Sequence, residues 1–143
     1  MSKSDAFETD LLKLIFNGTA IANIADNAAT APLTSLFVAL HTADPGETGT
    51  QATSEATYTG YARVAVVRTT GGWTVSGTSS ASPVATISFP ACSAGANTIT
   101  FFSIGVASTG ATKILYSGNV TPSMSVSTGV TPQLATSSTI SED

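Results

Sequence analysis

His41, Asp44 and Glu47 recur at every third position of "LHTADPGETGTQ" (40–51), and each side-chain type can ligate a metal ion or carry a proton. Three groups at i, i+3 and i+6 share a face only on a helix. Asp44-Pro45-Gly46 interrupts the triplet and reads as a turn: Asp accepts a local amide hydrogen bond, Pro presets φ, and Gly takes the positive-φ position. His41 closes an apolar run, where an imidazole meets a backbone group more often than a metal. The triplet is read as a fixed turn that presents His41 and Asp44 at an interface, with no metal or general-base role.

The other reactive residues are arranged no better for chemistry. Cys92, in "FPACSAG", is the only cysteine, so no internal disulfide forms, and a lone cysteine is usually a small buried hydrophobe. No G-x-S-x-G, phosphate-cradling glycine loop or Cys/His metal spacing occurs. "STGATK" (108–113) lacks phosphate-loop spacing and reads as a hairpin loop before "KILY". Glycoside hydrolysis would need carboxylates such as Asp26, Asp44, Glu47 and Glu55 to converge, and such hydrolases are rarely this small. No enzyme, cofactor or metal is expected. Tyr58, Tyr61 and Trp73 offer a carbohydrate platform, against the plainer reading that Trp73 anchors the core. Arg63 and Arg68, the only arginines, fall on opposite faces of a regular strand. One is expected to meet the acidic residues of the 42–57 loop and the other to stay free for a partner.

The composition narrows the function further. A chain of 143 residues favours one domain, 1–143, able to bury a real core. A net charge of −4 argues against non-specific nucleic-acid binding and against docking on anionic lipid. No apolar run of about 18 residues is present to span a membrane. The start, "MSKSDAFETDLLKLIF", is acidic where a signal peptide is basic. Only 10% of residues are charged, against roughly 25% in soluble domains. From Thr69 to Ser141 the sole formal charge is Lys113. Hydroxyl-rich, weakly charged strands suit a β-protein whose faces meet other protein.

The elements that would position these residues are mainly β. Residues 4–28 form an N-terminal helical segment, with a helix over 4–16 begun by Ser2 or Ser4 and stopped by Asn17-Gly18. Its apolar face is expected at Phe7, Leu11, Leu14 and Ile15. Residues 33–141 form an antiparallel β-sandwich or jelly roll. "LFVAL" is the first strand; "YARVAVVR" and "WTVS" form a hairpin across Gly71-Gly72. "VATISF", "TITFFSIGVA", "KILYSGNV", "MSVS" and "QLATSSTI" follow, punctuated by Gly and Pro.

The ordered phrases "LLKLIFNGTAIANIADNA", "LFVALHTADPGETGTQATSEATYTGYARVAV", "GGWTV", "ATISFPAC", "FFSIGVAS" and "ILYSGNVTP" resemble a family of small tailed-bacteriophage virion proteins over nearly the whole chain. The resemblance implies a head decoration, or cement, protein with a β-sandwich body and no catalytic motif. Many similar sequences are called tail fibre proteins, a label taken as loose because the length leaves little room for a shaft. The resulting expectation is a structural protein made in the host cytoplasm that docks outside the assembled head, across junctions of the major capsid protein, and resists genome pressure. It would self-associate as a dimer or trimer at a local symmetry axis, without nucleic acid or membrane. Candidate contact residues are Phe7, Leu11 and Leu14 on the helix, Asp44, Pro45 and Glu47 in the loop, and Arg63. The competing expectation is a receptor- or glycan-binding β-module of the tail tip or tail fibre.

Overall fold

The computed structural model describes residues 3–21, 24–25, 32–76 and 79–141. One helix, α1 (Asp5–Leu12), continues into a π-helical turn (Lys13–Asn17). The strands among the described residues are β1 (Ser35–His41), β2 (Val64–Val67), β3 (Trp73–Ser76), β4 (Ser80–Pro83), β5 (Ile87–Ser88), β6 (Ala96–Gly105), β7 (Ile114–Ser127), β8 (Gln133–Leu134) and β9 (Ile140–Ser141). The protein is mainly β, with antiparallel sheets and one N-terminal helix, as its composition and punctuation imply. The chain gathers into two units, one of residues 1–35, 66–86 and 135–143, the other of residues 36–65 and 87–134.

In the first unit the helix begins where Ser4 Oγ accepts from the Phe7 amide at 3.4 Å, with Asp5 and Glu8 near the positive end of the helix dipole. It stops at Gly18, whose φ of 65° a side chain would resist. The buried row is Glu8, Leu12 and Phe16, so the expected face of Phe7, Leu11, Leu14 and Ile15 is corrected: Phe7 is exposed and the other three are half-buried. The helix is apolar over a wide arc, and an i, i+4, i+8 row through Leu12 satisfies the same periodicity. Phe16 tilts against Trp73 with ring centres 4.8 Å apart, and Asn17 Nδ2 donates to the Trp73 carbonyl at 3.0 Å. Trp73 opens the three-stranded sheet β3-β4-β9, registered by Trp73↔Pro83 and Ala81↔Ile140. Ile21 and Ala25 form a short antiparallel bridge with Ile24 in a turn, where further helix was expected; Asp26 lies outside the described residues.

The expected β2–β3 hairpin is not formed. β2 joins the sheet of β1, whereas β3 joins β4. Neither Gly71 nor Gly72 takes positive φ. Instead the Gly72 and Trp73 amides both donate to the Thr69 carbonyl, and a Cβ on Gly72 would fall 2.1 Å from the Val67 carbonyl oxygen. Close approach, rather than a type I′ turn, demands glycine there.

The second unit is built on a four-stranded sheet in the order β2-β1-β6-β7, with β1 and β2 passing out of the unit at Ser35 and after Ala65. β1 pairs with β6 from Phe37↔Gly105 to His41↔Phe101. Leu36, Val38 and Leu40 face the core, yet Ala39 and His41 are buried too, so the end of β1 is covered on both sides. β6 and β7 form a long hairpin, closed by the 106–113 loop. The two runs "KILYSGNV" and "MSVS" are one strand, because Thr121-Pro122 is absorbed in a register shift between Ile99 and Phe101 of the partner. β7 is the last strand of its sheet, and an edge strand tolerates proline. "VATISF" shrinks to β5, which pairs with β8.

Candidate functional site: a closed polar cluster

The segment 42–63 returns beside the end of β1. The Thr42 amide donates to the Ser54 carbonyl, and the Ala56 amide to the Leu40 carbonyl, which sets Glu55 opposite His41. Further along, the Asp-Pro-Gly turn forms as its chemistry dictates: Asp44 Oδ1 accepts from the Gly46 amide at 2.8 Å and Gly46 has φ of 69°. Asp44 and Glu47 are exposed and Pro45 is buried. His41 is fully buried; Nδ1 lies 2.8 Å from the Thr53 carbonyl oxygen and Nε2 2.8 Å from Ser103 Oγ. Burial lowers its pKa, against the opposing pull of the Thr53 carbonyl and Glu55. Neither ring nitrogen faces Asp44 or Glu47. Among the described residues no group of three His, Cys, Asp or Glu side chains converges to hold a metal.

The ordered polar centre of this unit is Arg63. Nε donates to Glu55 Oε1 at 2.7 Å and Nη2 to Glu55 Oε2 at 2.8 Å, a bidentate pair. Nη2 also reaches the Gly110 carbonyl at 2.7 Å; Nη1 reaches the Ala107 carbonyl at 3.0 Å, Thr112 Oγ1 at 3.2 Å and Gln51 Oε1 at 3.4 Å. A guanidinium has five donors, and these acceptors occupy all of them. Its hydrogen bonds to Glu55 raise the Arg63 pKa against the cost of burial. Tyr61 extends the cluster: its hydroxyl donates to Glu55 Oε1 and accepts from the Leu40 amide, each at 3.0 Å. Burial pushes the Tyr61 hydroxyl well above the usual phenol range. Gln51, fully buried, donates from Nε2 to the Phe37 carbonyl at 2.9 Å. A Cβ on Gly105 would lie 2.2 Å from Gln51 Cδ, so glycine makes the space for that side chain.

The sequence led to half of this. An arginine meeting an acid of the 42–57 loop is found in Arg63 and Glu55. Gln51, Thr112 and the 107–110 carbonyls carried no signal, since a lone amide in "GTQATS" looks like any loop residue. Arg68 is not held free for a partner: it donates to the carbonyls of Leu14, Ile15 and Leu33. The proposed sugar platform is not built. Trp73 and Tyr58 are 1% and 3% exposed, and Tyr58 donates its hydroxyl to the Pro90 carbonyl. Tyr61 stacks on Phe89 and meets Tyr58 edge-on. A small recess of 240 Å³ beside Glu55, Tyr61 and the 108–110 loop opens onto this cluster, but the cluster's donors point away to their partners.

The arrangement is thus a clamp. It ties the 107–110 carbonyls and the side chains of Gln51, Glu55 and Thr112 to one guanidinium and keeps no donor of that group for a ligand. Cys92 is equally enclosed, its thiol directed at the Ala94 and Gly95 carbonyls. Among the described residues no helix is long and apolar enough to cross a membrane.

The class these features define is a mainly β protein with antiparallel sheets and one N-terminal helix. The chain belongs to the family described as podophage GP4 fiber I protein gp80, whose model matches residues 2–141. It is therefore a structural component of a phage virion, of the fibre kind. None of the curated proteins compared with it matches. The expectation of head cement is replaced: the fibre name, read as loose from chain length, is the one the family carries.

Proposed function

We propose that this chain is a rigid module of a virion fibre, which works by holding neighbouring protein in place and makes or breaks no covalent bond. The family match across residues 2–141 carries the reading. The closed clamp supports it, because a module that transmits force needs a body whose loops are fixed to its sheet. The contacts it makes are with other fibre or tail proteins and with further copies of itself, over something like 1,200–2,000 Å² for a stable junction. Its exposed candidate contacts are Phe7 on the helix and Asp44 and Glu47 in the loop. Pro45 and Arg63 are buried and serve to shape that loop rather than to touch a partner. A glycan-binding role at the fibre is the weaker reading, since Trp73 and Tyr58 are buried and the half-buried Tyr61 commits its hydroxyl to Glu55 and the Leu40 amide.

The test is to locate the chain on intact virions with a gold-labelled tag. Label on appendages of the tail is expected; label spread over the head surface would overturn the fibre reading and restore cement.

A further inference from the structure

His41 is the chain's single histidine, and its fully buried ring is bonded at both nitrogens. The Thr53 carbonyl can only accept, so Nδ1 carries the proton; Nε2 is then bare and accepts from Ser103 Oγ. That pattern suits the neutral ring alone. An imidazolium donates from both nitrogens, so the fully buried Ser103 hydroxyl would have to turn and give up its acceptor. Nor is a counter-charge left over for it. Glu55, on the returning segment, favours the imidazolium but already accepts from Arg63 Nε and Nη2 and from the Tyr61 hydroxyl. Arg63, ahead of β2, opposes a second positive charge. The Tyr61 phenol stays neutral, and the β6 residues beside the ring, Phe101 and Ser103, bear no charge.

The cover over the ring is a short piece of chain between two anchors. Gln51 fixes one end: its amide donates to the Thr112 carbonyl and its Nε2 to the Phe37 carbonyl, each at 2.9 Å. Glu55, held by Arg63, fixes the other. Between them, Thr53 supplies the carbonyl that binds Nδ1, and Ser54 has φ of 51°, a left-handed conformation that a residue with a side chain adopts at a cost. The Ser54 carbonyl accepts from the Thr42 amide at 2.8 Å and from Thr42 Oγ1 at 3.2 Å. This clasp closes the base of the loop that displays Asp44 and Glu47. We infer that His41 is a proton-sensitive latch: when its ring is protonated, residues 52–54 lift to let water reach it, the clasp between Thr42 and Ser54 opens, and the 44–47 turn loses its fixed position. Strain at Ser54 favours the lift, and the anchors at Gln51 and Glu55 confine it. Burial holds the folded pKa below the ordinary 6.5, so the lifted form takes the proton first and gains population as pH falls below about 6.5. The inference rests on the fibre reading only in taking Asp44 and Glu47 as contact residues, whose hold on a partner then weakens in acid.

Amide hydrogen exchange of the full, tag-free chain tests it, resolved by NMR at about pH 7.5 and about pH 5.5 and corrected for intrinsic rates. Protection of the Thr42 amide is expected to fall at least about three-fold in acid, within the limit of about ten-fold per pH unit that one proton allows, while the Gln51 amide keeps its protection. In His41→Gln the acid loss at Thr42 should disappear. Thr42 protection equal at both pH values, an equal acid loss in His41→Gln, or an equal loss at Gln51 would overturn the latch. Should the variant not fold, the wild-type ring signal decides, since a single histidine makes it unambiguous. Its titration midpoint should coincide with the change at Thr42, and a ring that titrates while Thr42 is unmoved overturns the proposal. These spectra are of the free chain, so label on the virion head would sink the fibre reading alone, and exchange at Thr42 that ignores pH would sink the latch alone.

Discussion

The only two arginines, Arg63 and Arg68, leave the same stretch of chain and stabilise their surroundings by different means. Arg63 meets a full opposite charge: Glu55 takes two of its donors, and carbonyls and side-chain oxygens take the rest. Among its partners Arg68 donates to the carbonyls of Leu14 and Ile15 near the helix end and of Leu33. The last carbonyls of a helix lack intrahelical partners and carry the negative end of its dipole, so a cation there is favourable. A buried ion pair differs in what happens when half is removed, since the surviving carboxylate is left desolvated without its counter-charge. The comparison teaches where each unit keeps its rigidity. In residues 36–65 and 87–134 a polar clamp fixes the loops; in the unit of α1 and β3-β4-β9, Leu12, Phe16 and Trp73 are fully buried and Arg68 binds carbonyls at the helix end.

That contrast is open to direct attack. Arg63→Met keeps the aliphatic stem and strands Glu55, and should cost about 3–5 kcal/mol, read as a fall in the urea midpoint. Arg68→Met should cost less, about 1–2 kcal/mol, with part of the helical circular-dichroism signal lost because the helix end loses its partner. Equal losses at both positions would erase the distinction. The smallest effect belongs to His41. Its folded pKa lies below the ordinary value of 6.5 because burial disfavours the imidazolium. As pH falls below about 6.5 the unfolded chain takes up the proton first, so stability drops until the folded pKa is reached and then levels. Urea midpoints between about pH 5 and 7 should decline in the wild type and stay flatter in His41→Gln. Identical slopes would show that His41 is not held neutral.

How far the sequence reveals this molecule depends on how local each signal is. The Ser4 cap, the Gly18 stop and the Asp44-Pro45-Gly46 turn are decided within a few residues, and they form where the sequence puts them. Which helix face is buried depends on the partner sheet, and an apolar arc that includes Leu11, Leu12, Leu14, Ile15 and Phe16 does not choose one. Gly71-Gly72 misleads for a related reason: glycine pairs also occur where backbones crowd, as Gly72 does against Val67. "SASP" became β4 without one strong strand former, through pairing with β3 and β9. Of the polar cluster, the Arg63–Glu55 contact was readable as opposite charges near in sequence; Gln51 and the 107–110 carbonyls join it only through the fold. The fibre reading stands second to cement in the sequence because a shaft's length is counted against one chain, and the family match favours it over cement.

The Arg63–Glu55 pair acts as an internal brace and not as a site held ready for a ligand. A double-mutant cycle with Glu55→Gln, Arg63→Met and both together, read by equilibrium unfolding, tests it most directly. A coupling of at least about 2 kcal/mol is predicted, with the double variant regaining part of the loss of Arg63→Met. Additive losses, with no coupling beyond error, would contradict it.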